Sequence, residues 1–152
     1  MGKSGAGGAA SSGRGTNSAS GGLALPDATR RKILGLPATE RGGNMISARA
    51  LGLPVREGSV PFLQSRERRQ NIPISKISLG RPELNRDRLL NAANFLRNGL
   101  RAGGRRIEPI RLAQRPDGRY QVLGDGNHRI AALRLMAFSG SVPALVRLQR
   151  KK

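Results

Sequence analysis

The sequence predicts a small α+β domain whose elements follow one another in the order β-α-β-β-α-β. Short apolar stretches alternate with polar residues over 73–79, 110–122 and 141–149, and two longer stretches carry apolar residues at intervals of three and four. Alternation is typical of strands, and the longer spacing is typical of helices. At 152 residues the chain has room for one such domain and a tail.

The strong positive charge is the most informative global feature. The chain has 28 Lys and Arg against 9 Asp and Glu, a net charge of +19. Arginine predominates, and its planar fork suits phosphate oxygens. We therefore expect a polyanionic partner, nucleic acid or another polyphosphate; a basic surface that only aids solubility is the alternative. Cysteine is absent, which excludes disulfides, thiolate metal sites and thiol nucleophiles.

Targeting signals are not evident in the sequence. No apolar run is long enough to cross a membrane, and the N-terminus lacks the charged and apolar regions of a secretory signal peptide. We therefore expect action in the cytoplasm without a membrane partner. Export as a toxin module would need a route that does not use a signal peptide.

Composition divides the chain into three segments. Residues 1–22 are nearly all Gly, Ser and Ala and predict a flexible leader, because they cannot bury enough surface to offset chain entropy. Residues 23–72 predict a basic extension with short helices, one over 27–35, and a solvated charged run at 64–70. Residues 73–148 carry the patterns of the folded domain.

The first half of this domain predicts a strand and a helix. The strand covers 73–79, with Ile74 and Ile77 as candidate inward residues and a candidate bulge between them. Asn85 predicts the N-cap of the helix, since its side chain can accept a bond from a first-turn amide. Gly99 and the glycine pair at 103–104 predict the end of this helix. Its apolar stripe consists of Leu89, Ala93, Leu96 and Leu100.

The second half predicts a hairpin, a helix and a last strand. Alternating stretches flank a Pro-Asp-Gly turn at 116–118, the pattern of a hairpin. Its apolar positions are Ile110, Leu112, Tyr120 and Val122. The helix covers 127–138 and stops at the Ser-Gly pair 139–140. The stretch "SVPALVRLQ" at 141–149 supplies the last strand.

The corner between hairpin and helix, "GDGNHR" at 124–129, predicts an anion site. The first N–H groups of a helix lack internal acceptors and lie at the positive end of the helix dipole. Glycines there can adopt positive φ and let a phosphate approach closely, and Asn127 is the expected N-cap. The expected phosphate-binding residues are Gly124, Gly126, Asn127 and Arg129.

Two further residues of the corner could take part in chemistry. His128, the only histidine, could donate or accept a proton near neutral pH. Asp125 could hold His128 in one tautomer or help to bind a divalent cation. A plainer interpretation remains open, because Gly-Asp-Gly turns, Asn caps and solvated first-turn arginines are common. The segment matches neither GxxxxGK[ST] nor GxGxxG.

The order of landmarks resembles the ParB/sulfiredoxin superfamily. In that superfamily a "QPI" strand, a hairpin, a glycine-led motif at a helix N-terminus and a "vPvxV" strand follow one another. Here "EPI" stands at 108–110, "GNHR" at 126–129 and "VPALV" at 142–146. The resemblance covers residues 73–148 and implies a small ParB/sulfiredoxin-like domain.

Two branches of the superfamily are similar in different ways. Sulfiredoxins carry Gly-Cys-His-Arg, and here Asn127 stands in the place of the nucleophile, so sulfinic-acid reduction is excluded while a nucleotide-phosphate pocket is implied. Partition-type ParB proteins carry Gly-Glu-Arg-Arg and bind CTP. Only the glycine and the last arginine match that motif, so the resemblance does not imply a preference for cytidine.

Short stand-alone members of the superfamily imply the expected activity. They are described as ParB-like nucleases or nucleotide hydrolases, and some are toxin domains. We therefore expect a ParB-like nuclease, a DNase rather than an RNase, with His128, Asp125 and Arg129 as catalytic residues. The expected cofactors are Mg²⁺, held by Asp125, and ATP or another NTP. Glu108 is a candidate second carboxylate, with a surface role as its alternative. A toxin would also have an immunity or delivery protein as a partner.

Two alternatives use the same corner: an NTP-hydrolysing toxin of the same fold, and a non-catalytic, nucleotide-gated DNA-binding module. Nucleic acid is favoured over free nucleotide because most of the positive charge lies in residues 61–152 and exceeds what one triphosphate requires. Arginines of the hairpin and of the segment before it are expected to grip the backbone, with solvated side chains as the alternative. They are Arg101, Arg105, Arg106, Arg111, Arg115 and Arg119.

Overall fold

The mixed α+β class predicted from the sequence is confirmed. A computed structural model describes residues 23–101 and 108–150, with the side chains of 98–101 outside the description. The described residues form three α-helices, two short 3₁₀ turns and seven strands. The predicted leader, residues 1–22, lies outside them.

The three helices are α1 (Asp27–Gly35), α2 (Arg86–Arg101) and α3 (Asn127–Leu135). The first agrees with the sequence prediction. The predicted cap of α2 is confirmed, because the backbone N–H of Arg88 donates to Asn85 Oδ1 at 3.0 Å. Gly99 does not end α2, which continues to Arg101; the glycine pair at 103–104 lies outside the described residues. The described members of the predicted stripe, Leu89, Ala93 and Leu96, are buried.

Seven strands form two sheets. The strands are β1 (Met45–Ser47), β2 (Leu63–Pro73), β3 (Ile77–Ser78), β4 (Glu83–Asn85), β5 (Ile110–Gln114), β6 (Tyr120–Val122) and β7 (Ser141–Gln149). The main sheet has the order β2-β7-β5-β6-β3, and β1 pairs with β4 in a separate ribbon. Within the main sheet, β5 runs parallel to β7 and β3 runs parallel to β6. The other pairs are antiparallel.

The charged run at 64–70 was predicted as a solvated segment, and the structure places it in β2. This strand pairs with β7, from Leu63 opposite Gln149 to Pro73 opposite Ser141. It is an edge strand, so one long side and one face remain exposed and can carry charged residues. The sheet therefore begins ten residues before the predicted strand at 73–79.

The predicted strand at 73–79 is also interrupted by a turn of 3₁₀ helix, Ile74–Lys76. Ile74 and Ile77 are both buried, as predicted, but residues three apart share one face in a 3₁₀ turn and not in a strand. The guanidinium of Arg134 fixes the turn, because Nη2 donates to the carbonyl oxygens of Ile74 and Ile77, both at 3.0 Å.

The predicted hairpin is confirmed, and its turn has the predicted chemistry. Strands β5 and β6 pair antiparallel, with Leu112 opposite Val122. Gly118 adopts a positive φ of 86°, and Asp117 Oδ1 accepts the N–H of Arg119 at 2.9 Å. This Asx-type bond is what favours Asp at the turn.

The end of α3 was predicted too late in the sequence. The helix ends at Leu135, because Ala137 adopts a left-handed conformation with φ of 59°. The N–H of Phe138 donates to Leu133 O at 2.9 Å, and that of Ala137 donates to Arg134 O at 3.0 Å. These two bonds form a Schellman motif, which usually contains Gly and here contains Ala, so the Ser-Gly pair at 139–140 was the wrong stop signal.

The extension before the main sheet belongs to the same core. The apolar side chains of Ile33, Ile46 and Leu51 are buried in one cluster with those of α2, α3 and the inner face of the main sheet. Arg86 at the start of α2 holds the end of α1, because its guanidinium donates to the carbonyl oxygens of Leu34 and Leu36. The extension also supplies β1, which pairs with β4 directly before α2.

Candidate phosphate site

The corner between β6 and α3 needs both of its glycines, for different reasons. Gly124 has φ of 60° and Gly126 has φ of 124°, as the sequence predicts for close turns. A Cβ on Gly126 would lie 2.8 Å from Ile110 Cγ2, so this glycine allows the corner to pack on β5. A Cβ on Gly124 would meet nothing within 4 Å. Gly124 therefore marks the open side of the corner.

The N-cap of α3 is Gly126, and the prediction of Asn127 as the cap is wrong. Asn127 is the first helical residue, and only 4% of it is exposed. Its Oδ1 accepts the N–H of Gly80 at 2.7 Å, and its Nδ2 donates to Gly124 O at 3.1 Å. The side-chain amide thus joins the loop after β3 to the corner. Because both of its polar groups are bonded inside the protein, Asn127 would meet an anion through its backbone N–H.

Three backbone N–H groups stand at the start of α3. The first intrahelical bond runs from the N–H of Ile130 to Gly126 O, at 3.0 Å. The N–H groups of Asn127, His128 and Arg129 precede it and have no acceptor within residues 23–101 and 108–150. Unpaired amides at the positive end of a helix are the groups that bind oxyanions.

His128 is held in one tautomer by a backbone amide. The N–H of Asn85 donates to His128 Nε2 at 3.0 Å, so the ring proton of the neutral imidazole is on Nδ1. Burial lowers the pKa of His128, as do the nearby charges of Arg88 and Arg81, while Asp125 raises it. His128 is therefore neutral at neutral pH and presents Nδ1–H as a donor.

Asp125 lies on the exposed turn of the corner. Its charge acts on His128, but no hydrogen bond joins the two residues in the described part of the chain. The amide of Asn85, and not the carboxylate of Asp125, fixes the tautomer.

Arg129 connects the corner to the start of β5. Its Nη1 donates to Glu108 O at 2.9 Å, and a guanidinium has four further N–H groups for other acceptors. Arg129 and Asp125 line an open cleft of about 520 Å³ beside Gly124. The side chain of Arg129 and the open side of the corner at Gly124 therefore line the same cleft.

The same cleft contains residues that the sequence prediction missed. Arg147 of β7 and Glu67 of β2 line it, beside Arg111, which was predicted. The alternation of β7 could have placed Arg147 opposite the buried Val146. No local pattern could have shown that Glu67 pairs with Arg147 across the sheet. Arg81, Arg88 and Asn85, which surround His128, were also missed as site residues.

The arginines predicted to grip nucleic acid do not form one surface. Arg111 lines the cleft, whereas Arg115 and Arg119 lie at the hairpin turn, about 13 Å farther along β5. Arg115 donates to Gln121 Oε1, and Arg119 donates to Ser75 O at 2.8 Å, so both contribute to internal bonds. The side chain of Arg101, and all of Arg105 and Arg106, lie outside the described residues.

The predicted Mg²⁺ site does not fit the residues present. Where the structure describes the chain, no group of three or more His, Cys, Asp or Glu lies close enough together to hold a metal ion. The exposed carboxylate of Asp125 alone supplies too few ligands for a protein-held cation. The side chain of Glu108 is exposed as well, and its backbone oxygen is bonded to Arg129.

Comparisons with known proteins return a partial structural likeness. A scan of protein-family models finds no match, and neither does a search of curated proteins. Among solved structures, the chain is similar to the C-terminally truncated chromosome-partitioning protein ParB from Caulobacter crescentus, complexed with CTP-γ-S. That alignment has a TM-score of 0.42 at 21% identity and covers 55% of this chain and 46% of the ParB chain. None of the described helices is both long and apolar enough to cross a bilayer.

Proposed function

We propose that the chain is a ParB-like nuclease that binds a phosphate of its substrate at the 124–129 corner. One observation supports this most directly: the three unpaired amides that open α3 belong to the same helical turn as Arg129, which lines the cleft beside Gly124, and His128, whose ring is bonded to Asn85. Nucleic acid is the proposed substrate class, because a net charge of +19 suits a polymer of phosphates better than a single nucleotide, and DNA is the nucleic acid that we propose.

In this proposal the corner acts by electrostatic stabilisation. The amides of 127–129 and the free N–H groups of Arg129 hold the phosphate oxygens, whose charge grows in the transition state. His128 donates a hydrogen bond from Nδ1 and does not act as a base, since Nε2 already accepts the N–H of Asn85. Asp125 is the carboxylate exposed on the turn and is the candidate to orient water.

The resemblance to toxin members of the superfamily extends this proposal. An effector role, with an immunity or delivery protein as its partner, would follow from nuclease activity on cellular DNA. The related alternative is a toxin that hydrolyses free ATP or another NTP at the same corner.

A non-catalytic, nucleotide-gated DNA-binding module is the second candidate. It is favoured by the engagement of His128 Nε2 and by the lack of a metal-binding cluster among the residues described. A binding module needs the amides and Arg129 but no proton transfer. In that case the corner would bind a nucleotide, and its occupancy would change the affinity for DNA.

Turnover assays test the proposal. The intact protein is incubated with supercoiled DNA, RNA and labelled ATP in parallel, with and without added Mg²⁺. We expect cleavage of DNA, and a loss of rate of about a hundredfold in Arg129→Ala, the magnitude typical of removing one transition-state donor. Arg31→Ala, an exposed residue of α1, is the matched control and should keep full activity.

The variant His128→Gln separates chemistry from structure. Glutamine can still accept the N–H of Asn85 but lacks the Nδ1 donor. Lower cleavage with unchanged DNA affinity and unchanged unfolding would support the proposed role. Binding of labelled ATP without turnover of any substrate would contradict the nuclease and support the gated module.

A further inference from the structure

We propose that the outer face of the main sheet, beside the corner, binds the phosphate backbone of nucleic acid and that Glu67 occupies this face as an internal competitor. The face is defined here by Arg69 of β2, Arg147 of β7 and Arg111 of β5, around Glu67. The proposal rests on the proposed function in one respect: another phosphate of the same nucleic acid is taken to bind at the 124–129 corner.

The strand register brings these arginines together. Leu145 lies opposite Arg69 on one side and beside Arg111 on the other. Because strands are about 4.8 Å apart, the Cα atoms of Arg69 and Arg111 are separated by about 10 Å across β7. Arg147 is the next outward residue of β7. The flanking residues Val146 and Ile110 are buried on the inner face, so the three arginines share the outer one.

Glu67 is positioned to neutralise this face. Its Oε2 lies 3.4 Å from Arg111 Nε, and its Cα lies opposite that of Arg147 in the register of β2 and β7. The side chain of Arg111 is 67% exposed, and exposed ion pairs are weak. A phosphate, which accepts bidentate bonds from guanidinium groups, can replace the carboxylate. Arg147 keeps its Nη groups for this purpose, since it uses Nε to bind Gln64 O at 2.8 Å.

The face is continuous with the corner. Arg111 and Arg147 line the same cleft of about 520 Å³ as Gly124 and Arg129. A backbone held at the corner therefore has its next phosphates within reach of the two strand arginines. Contacts of this kind position a nucleic acid without reading its sequence.

The position of the arginines favours nucleic acid over an acidic peptide. Peptides commonly bind sheets by adding a strand at an edge. Two of the three arginines of the face belong to interior strands: Arg147 to β7, next to the β2 edge, and Arg111 to β5, one strand further in. A peptide there would lose the backbone bonds of strand addition, whereas a phosphate backbone needs only the guanidinium groups.

Affinity measurements on the full chain test the proposal. Binding of a short fluorescein-labelled DNA duplex is followed by fluorescence anisotropy over a series of KCl concentrations, with polyglutamate as a competitor. We expect Glu67→Gln to bind DNA about threefold more tightly and Arg147→Ala about fivefold more weakly, as for exposed ion pairs. The slope of log K against log[salt] should fall by about 0.9 in Arg147→Ala.

Two further variants keep the result interpretable. In the described part of the chain, the side chain of Arg111 makes no hydrogen bond to a backbone group. Arg111→Ala should therefore weaken binding as Arg147→Ala does, even if the latter variant loosens β2. Arg31→Ala removes the same charge from α1, outside the cleft, and should bind within about twofold of the parent. Equal weakening by Arg31→Ala and Arg111→Ala would show that only net charge matters and would overturn the proposal.

Other outcomes are equally decisive. Unchanged or weaker binding by Glu67→Gln would overturn the competitor role, and equal competition by polyglutamate at matched charge would overturn the assignment to phosphate. Because binding is measured without cleavage, DNA affinity can follow these expectations while every turnover assay fails. That result would reject the nuclease and leave the binding face in place.

Discussion

Asn127 joins two loops through a single side-chain amide. Its Oδ1 accepts the N–H of Gly80 and its Nδ2 donates to Gly124 O, and both bonds are partly buried. We expect Asn127→Ala to lower the free energy of unfolding by about 1–3 kcal/mol, because both bonds would be lost. Urea unfolding measures the loss, with Asn91→Ala, an exposed residue of α2, as the control. Equal stability of the two variants would refute the linking role.

His128 should make stability depend on pH. Its pKa is lowered in the folded state by burial and by Arg88 and Arg81, so the unfolded chain binds the proton more readily. The free energy of unfolding should be highest above about pH 6.5, the ordinary pKa of histidine, and should fall as the pH drops toward the folded value. Protonation also removes the acceptor of the Asn85 N–H.

The variant His128→Gln isolates this effect, because it cannot titrate and can still accept the Asn85 N–H. Its unfolding free energy should change less than that of the parent between neutral pH and about pH 5. Parallel curves for the two proteins in thermal or urea unfolding would show that His128 does not contribute.

Ala137 ends α3 in a conformation that favours glycine. Its φ of 59° lies in the left-handed region, where the Cβ of an L-residue is crowded at a cost of about 1 kcal/mol or more. We expect Ala137→Gly to raise the free energy of unfolding by about 0.5 kcal/mol, after the added entropy of the unfolded chain is subtracted. Ala131→Gly, at a fully buried position in the interior of the same helix, should lower it by more than about 1 kcal/mol, because helix propensity and a buried methyl group are both lost. A loss of stability in both variants would contradict the assigned end of α3.

Strand β2 shows how an element can be hidden by its composition. Its arginines and glutamines resemble a solvated segment, yet they pair with β7 over most of its length. An edge strand needs apolar residues only where it faces the core, and here Ile72 is the buried one. Charge on the remaining positions also hinders pairing with another chain.

The extension contributes to the stability of the molecule as a unit. Ile33 is fully buried in the common core, whereas its neighbour Leu34 is 53% exposed. We expect Ile33→Ala to lower the free energy of unfolding by about 2–5 kcal/mol, because it leaves a cavity, and Leu34→Ala to have little effect. Because the chain has no Trp, unfolding is best followed by circular dichroism, and the signal should change in a single transition. A separate early transition in Ile33→Ala would indicate that residues 23–72 fold apart from the domain.

Much of the fold could be predicted because its signals are local. Apolar spacing, the Asn85 cap, the Pro-Asp-Gly turn and the positive φ of Gly124 and Gly126 each act within a few residues. Such signals lie within one short segment and need no contact with a distant one. They predicted α1, α2, the hairpin and the start of α3.

The chemical character of the corner depends on contacts between distant segments. Asn127 meets Gly80 across 47 positions, and His128 meets Asn85 across 43. Because of these bonds, Asn127 links two loops where the sequence predicted a helix cap. His128 is a neutral hydrogen-bond donor where the sequence predicted an acid or base. Arg147 and Glu67 meet only because β2 and β7 pair. Sequence alone therefore predicted the corner as the place where an anion would bind, since amides and glycines are local signals. Packing determined which side chains lie around the corner, since long-range pairing leaves no pattern in either segment.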